Sequence, residues 1–311
     1  MYDTINMRLA ASDVGGIDFL AATPSHLSDV GEHYYNGEVV ISGDLNGLKV
    51  TMNRYQLKLK NGSLCKWYLG NNFSTMGRGD TQRAIEKLSD TLHLPIERAS
   101  ITRIDVADNL LTKHPPDVYF RHLGLLRYAK RLEQPDGLYY SQTDGKLCFY
   151  DKNREQRSRR EAIPELYNRA NVLRYEQRYL GRIASKLNAE RITGATLYNE
   201  RFYISVLNRW KQAYKAITKI NEINLNFGMM KGKQRLYQMG ILALVQQTGG
   251  EVQMIAQINE AQKQGILTNK QAFDLRQSVK GACKCKKGLT VQSDAIAELD
   301  KKIDEAVSHY R

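Results

Sequence analysis

The chain of 311 residues is 42% hydrophobic and 25% charged, which is the balance of a folded globular protein and excludes a disordered one. Lysine and arginine outnumber aspartate and glutamate by 46 to 33, and the resulting net charge of +13 favours a polyanionic partner such as a nucleic acid. No apolar run approaches membrane-spanning length and the first residues lack the pattern of a cleaved signal peptide, so we expect a cytoplasmic protein without a membrane partner.

The first part of the chain mixes strand and helix patterns. Residues rich in β-branched and aromatic side chains predict strands at 38–43, 48–60 and 64–69. Apolar residues at helical spacing predict a helix over 80–93, and a second helix over 116–132 is expected after a pair of prolines.

Four further strands are predicted in the middle of the chain. They cover 100–107, 137–142, 146–151 and 171–180, and a Thr-Asp-Gly turn joins the second and third of them into a hairpin. The segment 152–170, which separates the last two strands, is polar and rich in arginine.

The sequence becomes helical from about residue 196. Long amphipathic stretches follow at 197–223, 231–247, 251–264 and 269–280. We therefore predict an α+β fold in which an antiparallel-rich sheet has helices on one face and an open opposite face, followed by a helical C-terminal domain. The expected division is between a domain over 1–195 and a helical accessory domain over 196–311.

Three of the predicted strands carry ionisable residues on the face opposite their apolar residues. If these strands share one sheet, Asp105, Tyr150, Glu176 and Lys152 meet on its open face. Two carboxylates can hold a hard divalent cation such as Mg²⁺, and a tyrosine hydroxyl beside them can attack a phosphodiester. The alternative is structural, because strand tyrosines usually pack in a core and alternating arginine and glutamate can form cross-strand ion pairs.

Five short motifs carry a resemblance to a known family. They are MYDTINMRL at 1–9, GNNF at 70–73, SITRIDVA at 100–107, LCFYDKNRE at 147–155 and VLRYEQRY at 172–179. In these motifs and in their order, over roughly residues 1–190, the sequence resembles the phage and plasmid replication proteins of the II/X type, the family of the filamentous-phage gene II protein. More distantly it is similar to the replication initiation factors of rolling-circle plasmids.

The resemblance implies a rolling-circle replication initiator with a nickase domain over 1–195, whose open sheet face is catalytic. Tyr150 corresponds to the nucleophile, and Lys152 follows it in the same motif as a second catalytic residue. Asp105, Glu176 and Glu155 correspond to ligands of Mg²⁺ or Mn²⁺. The sequence contains no histidine–hydrophobe–histidine pair, the metal-binding motif of many other nicking enzymes, so carboxylates are the expected ligands.

The implied reaction is a single-strand nick in origin DNA through a covalent 5′-phosphotyrosyl link. It leaves a free 3′-hydroxyl that primes DNA synthesis. A host helicase and a host DNA polymerase are therefore expected partners, and the expected location is the cytoplasm of a bacterial host.

Arginines near the predicted site are expected to hold DNA phosphates, which positions a strand without reading its sequence. The predicted contacts are Arg103, Arg154, Arg157, Arg174 and Arg178. One of the two tyrosines in the neighbouring strand, Tyr139 or Tyr140, should share a face with Tyr150 and is the candidate second acceptor during strand closure.

Two other functions also fit parts of the sequence. A non-catalytic DNA-binding protein of plasmid or phage replication or copy control needs the basic surface but no carboxylate pair. A basic RNA-binding protein fits the charge but leaves the alignment of Asp105, Tyr150 and Glu176 unexplained. The region beyond residue 196 either reads the origin sequence or serves as a packing or host-protein-binding domain.

Overall fold

A broad antiparallel sheet forms the framework of the fold. The computed structural model describes residues 1–22, 24–223, 232–284 and 290–311, and within these ranges the sheet has ten strands. In chain order the strands are β1 (Tyr2–Ala10), β2 (Ser28–Tyr35), β3 (Glu38–Leu45), β4 (Leu48–Asn53), β5 (Gln56–Lys60), β6 (Ser100–Thr112), β7 (Lys130–Gln134), β8 (Gly137–Gln142), β9 (Gly145–Asp151) and β10 (Asn171–Tyr179). Across the sheet they lie in the order β2-β3-β4-β5-β1-β6-β10-β9-β8-β7, with antiparallel neighbours throughout.

Helices connect the strands and fill the C-terminal part of the chain, which confirms the predicted α+β class. They are α1 (Phe19–Ala22), α2 (Leu64–Leu69), α3 (Arg78–Leu92), α4 (Pro116–Phe120), α5 (Lys152–Ser158), α6 (Glu165–Asn168), α7 (Ile183–Lys186), α8 (Gly194–Leu197), α9 (Glu200–Lys215), α10 (Lys233–Gln247), α11 (Glu251–Lys263), α12 (Asn269–Lys284) and α13 (Asp294–Tyr310). Among the described residues, none of these helices has both the length and the apolar character needed to cross a bilayer.

The chain divides into two compact units. The first comprises Met1–Pro116, Lys130–Lys215 and Lys302–Arg311 and contains the whole sheet, and the second comprises Asp117–Ala129 and Ala216–Lys301. The first unit extends beyond residue 195 because α9 belongs to it. The division into a catalytic and an accessory domain concerns function and stays a prediction.

The core of the first unit includes one face of the sheet and helix α9. Phe149 of β9 stacks on Tyr175 of β10 with ring centroids 4.5 Å apart, and the ring of Trp210 in α9 lies 4.7 Å from that of Tyr175. Tyr175 also donates its hydroxyl hydrogen to the carbonyl oxygen of Trp210 at 3.0 Å. Because all three side chains are fully buried, this aromatic cluster fixes α9 against one face of the sheet.

The segment predicted as a strand over 64–69 is the helix α2, so that prediction is wrong. Its two ends explain the difference. The hydroxyl oxygen of Ser63 accepts a hydrogen bond from the backbone N–H of Lys66, and Gly70 ends the helix with a φ of 79°. These two caps override the strand preference of the apolar and aromatic residues between them.

The helix predicted over 116–132 is also wrong, because only Pro116–Phe120 is helical. The C-terminal end of the predicted helix instead continues into β7, in which Lys130 lies opposite Ser141 and Gln134 opposite Gly137 of β8. Pairing with β8 decides the structure of this segment, and this pairing cannot be predicted from the local spacing of apolar residues. Helix α9 packs against the sheet face on which helices were expected.

The second unit is helical, as predicted for the C-terminal region. α10, α11 and α12 pack around two small apolar clusters. Their buried members are Met239, Leu242 and Ala282 in one cluster, and Val245, Ile258, Ala272 and Val279 in the other. The first residue of the stretch predicted over 231–247 lies outside the described residues.

Replacing Trp210 by alanine should test the role of the aromatic cluster. The loss of a fully buried indole leaves a cavity beside Tyr175, so we expect the free energy of unfolding to fall by about 3–5 kcal/mol. Urea unfolding followed by circular dichroism measures this change. Tyr34→Ala removes a side chain that is 72% exposed and should change the stability by less than about 0.5 kcal/mol. Equal effects of the two substitutions would contradict this description of the core.

Candidate active site

Three adjacent strands bring the main predicted site residues together. Asp105 of β6 lies opposite Arg178 of β10, and Tyr150 of β9 lies opposite Arg174 of β10. Directly opposed residues point to the same face of a sheet, and Glu176 shares that face because it lies midway between the two arginines in β10. Asp105, Tyr150 and Glu176 are therefore neighbours on the face opposite the aromatic cluster.

The hydroxyl group of Tyr150 interacts with Glu176. It donates a hydrogen bond to Oε2 of Glu176 at 3.4 Å, and the guanidinium of Arg178 donates to the same oxygen at 3.1 Å. Burial raises the pKa of Tyr150 well above its ordinary value, and the negative charge of Glu176 adds to this effect while Arg174 opposes it. The phenol is therefore neutral, with a carboxylate oxygen positioned to accept its proton.

Asp105 is a buried carboxylate held by two arginines. Arg103 donates from Nε to Oδ1 of Asp105 at 2.9 Å and makes a second bond to Oδ2, whereas Nε of Arg178 lies 3.9 Å from Oδ2. The pKa of Asp105 is raised to about 7, chiefly by burial and also by the charge of Glu176, whereas the hydrogen bonds from Arg103 oppose this rise. Arg178 thus contacts both carboxylates of the site.

Lys152 and Glu155 lie in α5, which follows β9 directly, and Lys152 is not part of the strand. The buried amino group of Lys152 donates to Oε2 of Glu155 at 2.8 Å, and Oε1 of Glu155 lies 2.7 Å from Nε of Arg159. Burial lowers the pKa of Lys152 to about 8, and Arg174 adds to this effect. Both oxygens of Glu155 are therefore already paired with cationic groups.

A second layer of buried polar groups supports these residues. Nη2 of Arg174 lies 2.7 Å from Oδ2 of Asp3, and Nη1 donates to Oδ1 of Asn109 at 3.0 Å. Asp3 also accepts hydrogen bonds from Ser63 and Asn72. Arg174 is fully buried, so its guanidinium is not at the surface, where DNA phosphates bind. The prediction that Arg174 contacts DNA is therefore wrong. Arg174 instead supports the site through its buried contacts with Asp3 and Asn109.

Many of the residues of the site line a polar pocket of about 550 Å³. Its acidic lining residues are Asp3, Asp105, Glu155, Glu161 and Glu176, and its basic ones are Lys66, Arg103, Arg159 and Arg178. Tyr150 and the half-buried Trp67 are its aromatic lining residues. The pocket therefore brings a tyrosine hydroxyl together with closely balanced positive and negative charges.

The other predicted DNA contacts lie at or near the surface. Arg103 and Arg178 line the pocket and their side chains are 26% and 30% exposed, while Arg154 and Arg157 of α5 are exposed. Guanidinium groups in these positions can reach a phosphate without a change of backbone.

The two neighbouring tyrosines lie on opposite faces of β8. Tyr139 lies opposite Cys148 and so shares the face of Tyr150, and its hydroxyl donates to Asp136 at 2.9 Å. Tyr140 is fully buried on the core face, with its ring 6.2 Å from that of Phe149. Tyr140 is therefore wrong as a candidate acceptor, because DNA cannot reach it, and Tyr139 remains.

The three predicted metal ligands are not grouped together. Among the described residues, no three side chains of the types His, Cys, Asp and Glu form an arrangement that could hold a metal ion. Asp105 and Glu176 still offer two carboxylates on one face, which fits a hard cation whose remaining ligands are water or substrate oxygens. Metal binding stays a prediction for these two residues, and the position of Glu155 in α5, away from the strands that carry them, argues against its inclusion.

Comparison with known proteins assigns the family. A family model described as the N-terminal part of the replication-associated protein of gene II matches residues 1–213, which include every strand of the sheet and every residue that lines the pocket. The chain belongs to this family. The match confirms the resemblance to the filamentous-phage gene II type and gives the chain a role in phage-type DNA replication. No curated protein matches the chain.

The site of this gene II family member contains residues that the sequence did not single out. Asp3, Ser63 and Asn72 surround Arg174 but lie in β1, before α2 and after α2. Two of them fall within motifs that carry the family resemblance, at 1–9 and 70–73. Asp3 is the only acidic residue in β1 and lies within the first of these motifs, which is the signal that could have identified it.

Replacing Asp3 by asparagine should reveal how much the buried ion pair stabilises the fold. The substitution leaves Arg174 buried without its anionic partner, so we expect the free energy of unfolding at neutral pH to fall by about 3–5 kcal/mol. Burial raises the pKa of Asp3, but Arg174, Ser63 and Lys152 together hold it below its ordinary value. A lowered pKa stabilises the fold above the ordinary value of about 3.9, and this contribution is lost as the pH falls through the folded-state pKa.

The difference in stability between the wild-type chain and Asp3→Asn should therefore shrink in acid. Urea unfolding over a series of pH values measures it. Asp90→Asn, at an exposed position of α3, is the matched control and should show little difference at any pH. A difference for Asp3→Asn that is the same at neutral and acidic pH would exclude the ion pair as its cause.

Proposed function

We propose that the chain initiates rolling-circle replication by cutting one strand of origin DNA, with Tyr150 as the nucleophile. The observation that carries this proposal is the position of the Tyr150 hydroxyl. It donates to Glu176 at 3.4 Å, beside Asp105 and at the wall of a polar pocket. Membership of the gene II family supports a role in replication, and nicking is the reaction that these groups suit.

In the proposed reaction, the phenolic oxygen of Tyr150 attacks the phosphorus of a phosphodiester. The new bond joins Tyr150 to the 5′-phosphate, and the bond between the phosphorus and the 3′-oxygen breaks. The phenolic proton passes to the carboxylate of Glu176, and the departing 3′-oxygen takes a proton from water. The products are a 5′-phosphotyrosyl link and a free 3′-hydroxyl.

The positive groups of the pocket stabilise the charge that develops on the phosphate. Arg103 and Arg178 reach into the pocket with partly exposed guanidinium groups. Arg174 does not line the pocket, but its buried charge lies opposite Tyr150 in the neighbouring strand. Fixed cations beside a developing negative charge are a large source of transition-state stabilisation. Lys152, held against Glu155, adds a further positive charge at the same end of β9.

Asp105 and Glu176 are the residues that would hold a divalent cation such as Mg²⁺ or Mn²⁺. When bound, this cation would neutralise charge on the phosphate and favour the ionised form of a nearby phenol. Two adjacent carboxylates with hard oxygen donors support this assignment. Glu155 is left out because it lies in helix α5 and not on the sheet face that Asp105 and Glu176 share.

The proposed products define the partners. A free 3′-hydroxyl primes a host DNA polymerase, and strand displacement requires a host helicase. Tyr139, on the face of Tyr150, is the proposed second acceptor when the displaced strand is closed.

Tyr150→Phe is the direct test of the nucleophile. Removing the hydroxyl leaves the aromatic ring and both carboxylates in place, so the variant should still bind DNA. Nicking and the covalent adduct should fall on the order of a thousandfold or more. The substrate is supercoiled DNA that carries the origin of the element encoding the chain, and the adduct is detected as a protein–DNA complex that survives denaturation.

Tyr139→Phe is the matched control, because it removes a hydroxyl from the same sheet face. It should retain the first cut. A denaturation-resistant adduct formed by Tyr150→Phe at the wild-type rate would disprove the assignment. Origin binding by the wild-type chain without any cleavage in Mg²⁺ or Mn²⁺ would instead support a non-catalytic replication or copy-control protein.

Asp105→Ala tests the proposed cation site. With one of two carboxylates removed, nicking at low Mg²⁺ should fall at least about a hundredfold, and excess Mg²⁺ or Mn²⁺ should restore part of it. Asp90→Ala, which removes an exposed acid from α3, should nick as the wild type does. Titration of nicking activity with each metal provides the measurement. Wild-type activity in the presence of excess chelator would refute the metal requirement.

A further inference from the structure

A second pocket, of about 360 Å³, lies where β9 begins and β10 ends, beside α9. It differs from the first pocket in its charge. Its lining contains four cationic side chains, Lys146, Arg178, Lys186 and Arg209, and no aspartate or glutamate among the described residues. A concave surface of this composition attracts an anion.

Two of these cations are only partly neutralised and two have no acidic partner. Arg178 is paired with Glu176, and Lys186 lies 4.0 Å from Asp144. Within the part of the chain that the structure describes, neither Lys146 nor Arg209 forms an ion pair. The amino group of Lys146 lies over the ring of Tyr139, 4.3 Å from its centroid. The pocket therefore keeps a net positive charge.

The hydroxyl group of Tyr179 provides an independent sign of a ligand. Tyr179 lines this pocket and is only 5% exposed, yet its hydroxyl has no hydrogen-bond partner among the described residues. Buried polar groups are normally hydrogen-bonded, so an unpartnered donor beside unpaired cations indicates an anionic acceptor from outside the chain.

Arg178 joins this pocket to the candidate active site. Its guanidinium contacts Glu176 and Asp105 in the first pocket, and the same residue lines the second. A DNA strand that occupied both pockets would pass this shared arginine. DNA provides a repeating anion, whereas an isolated phosphate ion does not need the two pockets to be joined.

We propose that the second pocket binds a phosphodiester group of the DNA strand close to the phosphate that is cut. This inference rests on the proposed function for the identity of the strand. Lys146 and Arg209 supply the charge, Tyr179 donates a hydrogen bond, and Arg178 lies between the two phosphates.

The test uses a fluorescent oligothymidylate in which one linkage at a time is replaced by an uncharged methylphosphonate. Binding to the full chain is measured by anisotropy over a range of salt concentrations. Arg209→Gln should weaken binding and reduce the salt slope by about 0.7, the value for one phosphate contact to single-stranded DNA. For the wild type, a methylphosphonate at one particular linkage should also lower the affinity for the oligonucleotide. The same replacement should not lower the affinity of Arg209→Gln.

Two further variants separate binding from folding. Tyr179→Phe should weaken binding several-fold without lowering the melting temperature, because the hydroxyl has no partner within the described protein. Arg98→Gln removes the same charge as Arg209→Gln from a side chain that is 63% exposed and lines neither pocket, and it should not alter the dependence on any one linkage.

The proposal is overturned if, at every linkage, methylphosphonate lowers the DNA affinity of the wild type and of Arg209→Gln by the same factor. It is also overturned if Arg209→Gln weakens the binding of inorganic phosphate but does not change the effect of methylphosphonate at any linkage. The pocket would then bind free phosphate. If the effect of one linkage depends on Arg209 but the chain does not nick origin DNA, the phosphate-binding pocket is supported and the proposed nicking function is rejected.

Discussion

The register of β10 between β6 and β9 is the constraint on which the site depends. A slip of one residue turns every side chain of a strand to the opposite face, so Glu176 would enter the core and Tyr175 would enter the pocket. Phe149, Tyr175 and Trp210 oppose such a slip because their rings are fully buried against one another. The aromatic core on one face thus holds the ionisable groups on the other face in position.

Local patterns in the sequence are sufficient for elements that carry their own signals. The Thr-Asp-Gly turn predicts the hairpin of β8 and β9, and helical spacing predicts α3 closely. The pattern fails at 64–69, where composition favours a strand but the caps at Ser63 and Gly70 favour a helix. It also fails at Lys130–Gln134, whose structure depends on a partner strand. In both places the deciding interaction involves residues that lie outside the segment itself.

Some residues of the candidate site can likewise be predicted from local patterns, and others cannot. Alternation alone predicts which faces of β6, β9 and β10 carry the ionisable residues, because neighbouring apolar residues such as Ile104 and Val106, or Leu147 and Phe149, mark the opposite face. It misplaces Asp3, since strict alternation with Ile5 and Met7 assigns Asp3 to the core face. The pairing of β1 with β6 shifts register between Tyr2 and Ile5, and this irregularity turns Asp3 towards Arg174. A bulge of this kind depends on the partner strand and leaves no mark in the spacing of apolar residues.

The pairing of charges in the site has a consequence for how it binds its ligands. Asp105 and Glu176 are held by Arg103 and Arg178, so a phosphate that binds these arginines competes with the carboxylates, and a cation that binds the carboxylates competes with the arginines. A phosphate alone leaves the buried carboxylates without partners, which is strongly unfavourable, and a cation alone leaves the partly exposed arginines unpaired. Phosphate and cation together leave every charge paired. On the proposed function, exchange of ion pairs in the pocket therefore makes the binding of DNA and of the divalent cation mutually reinforcing.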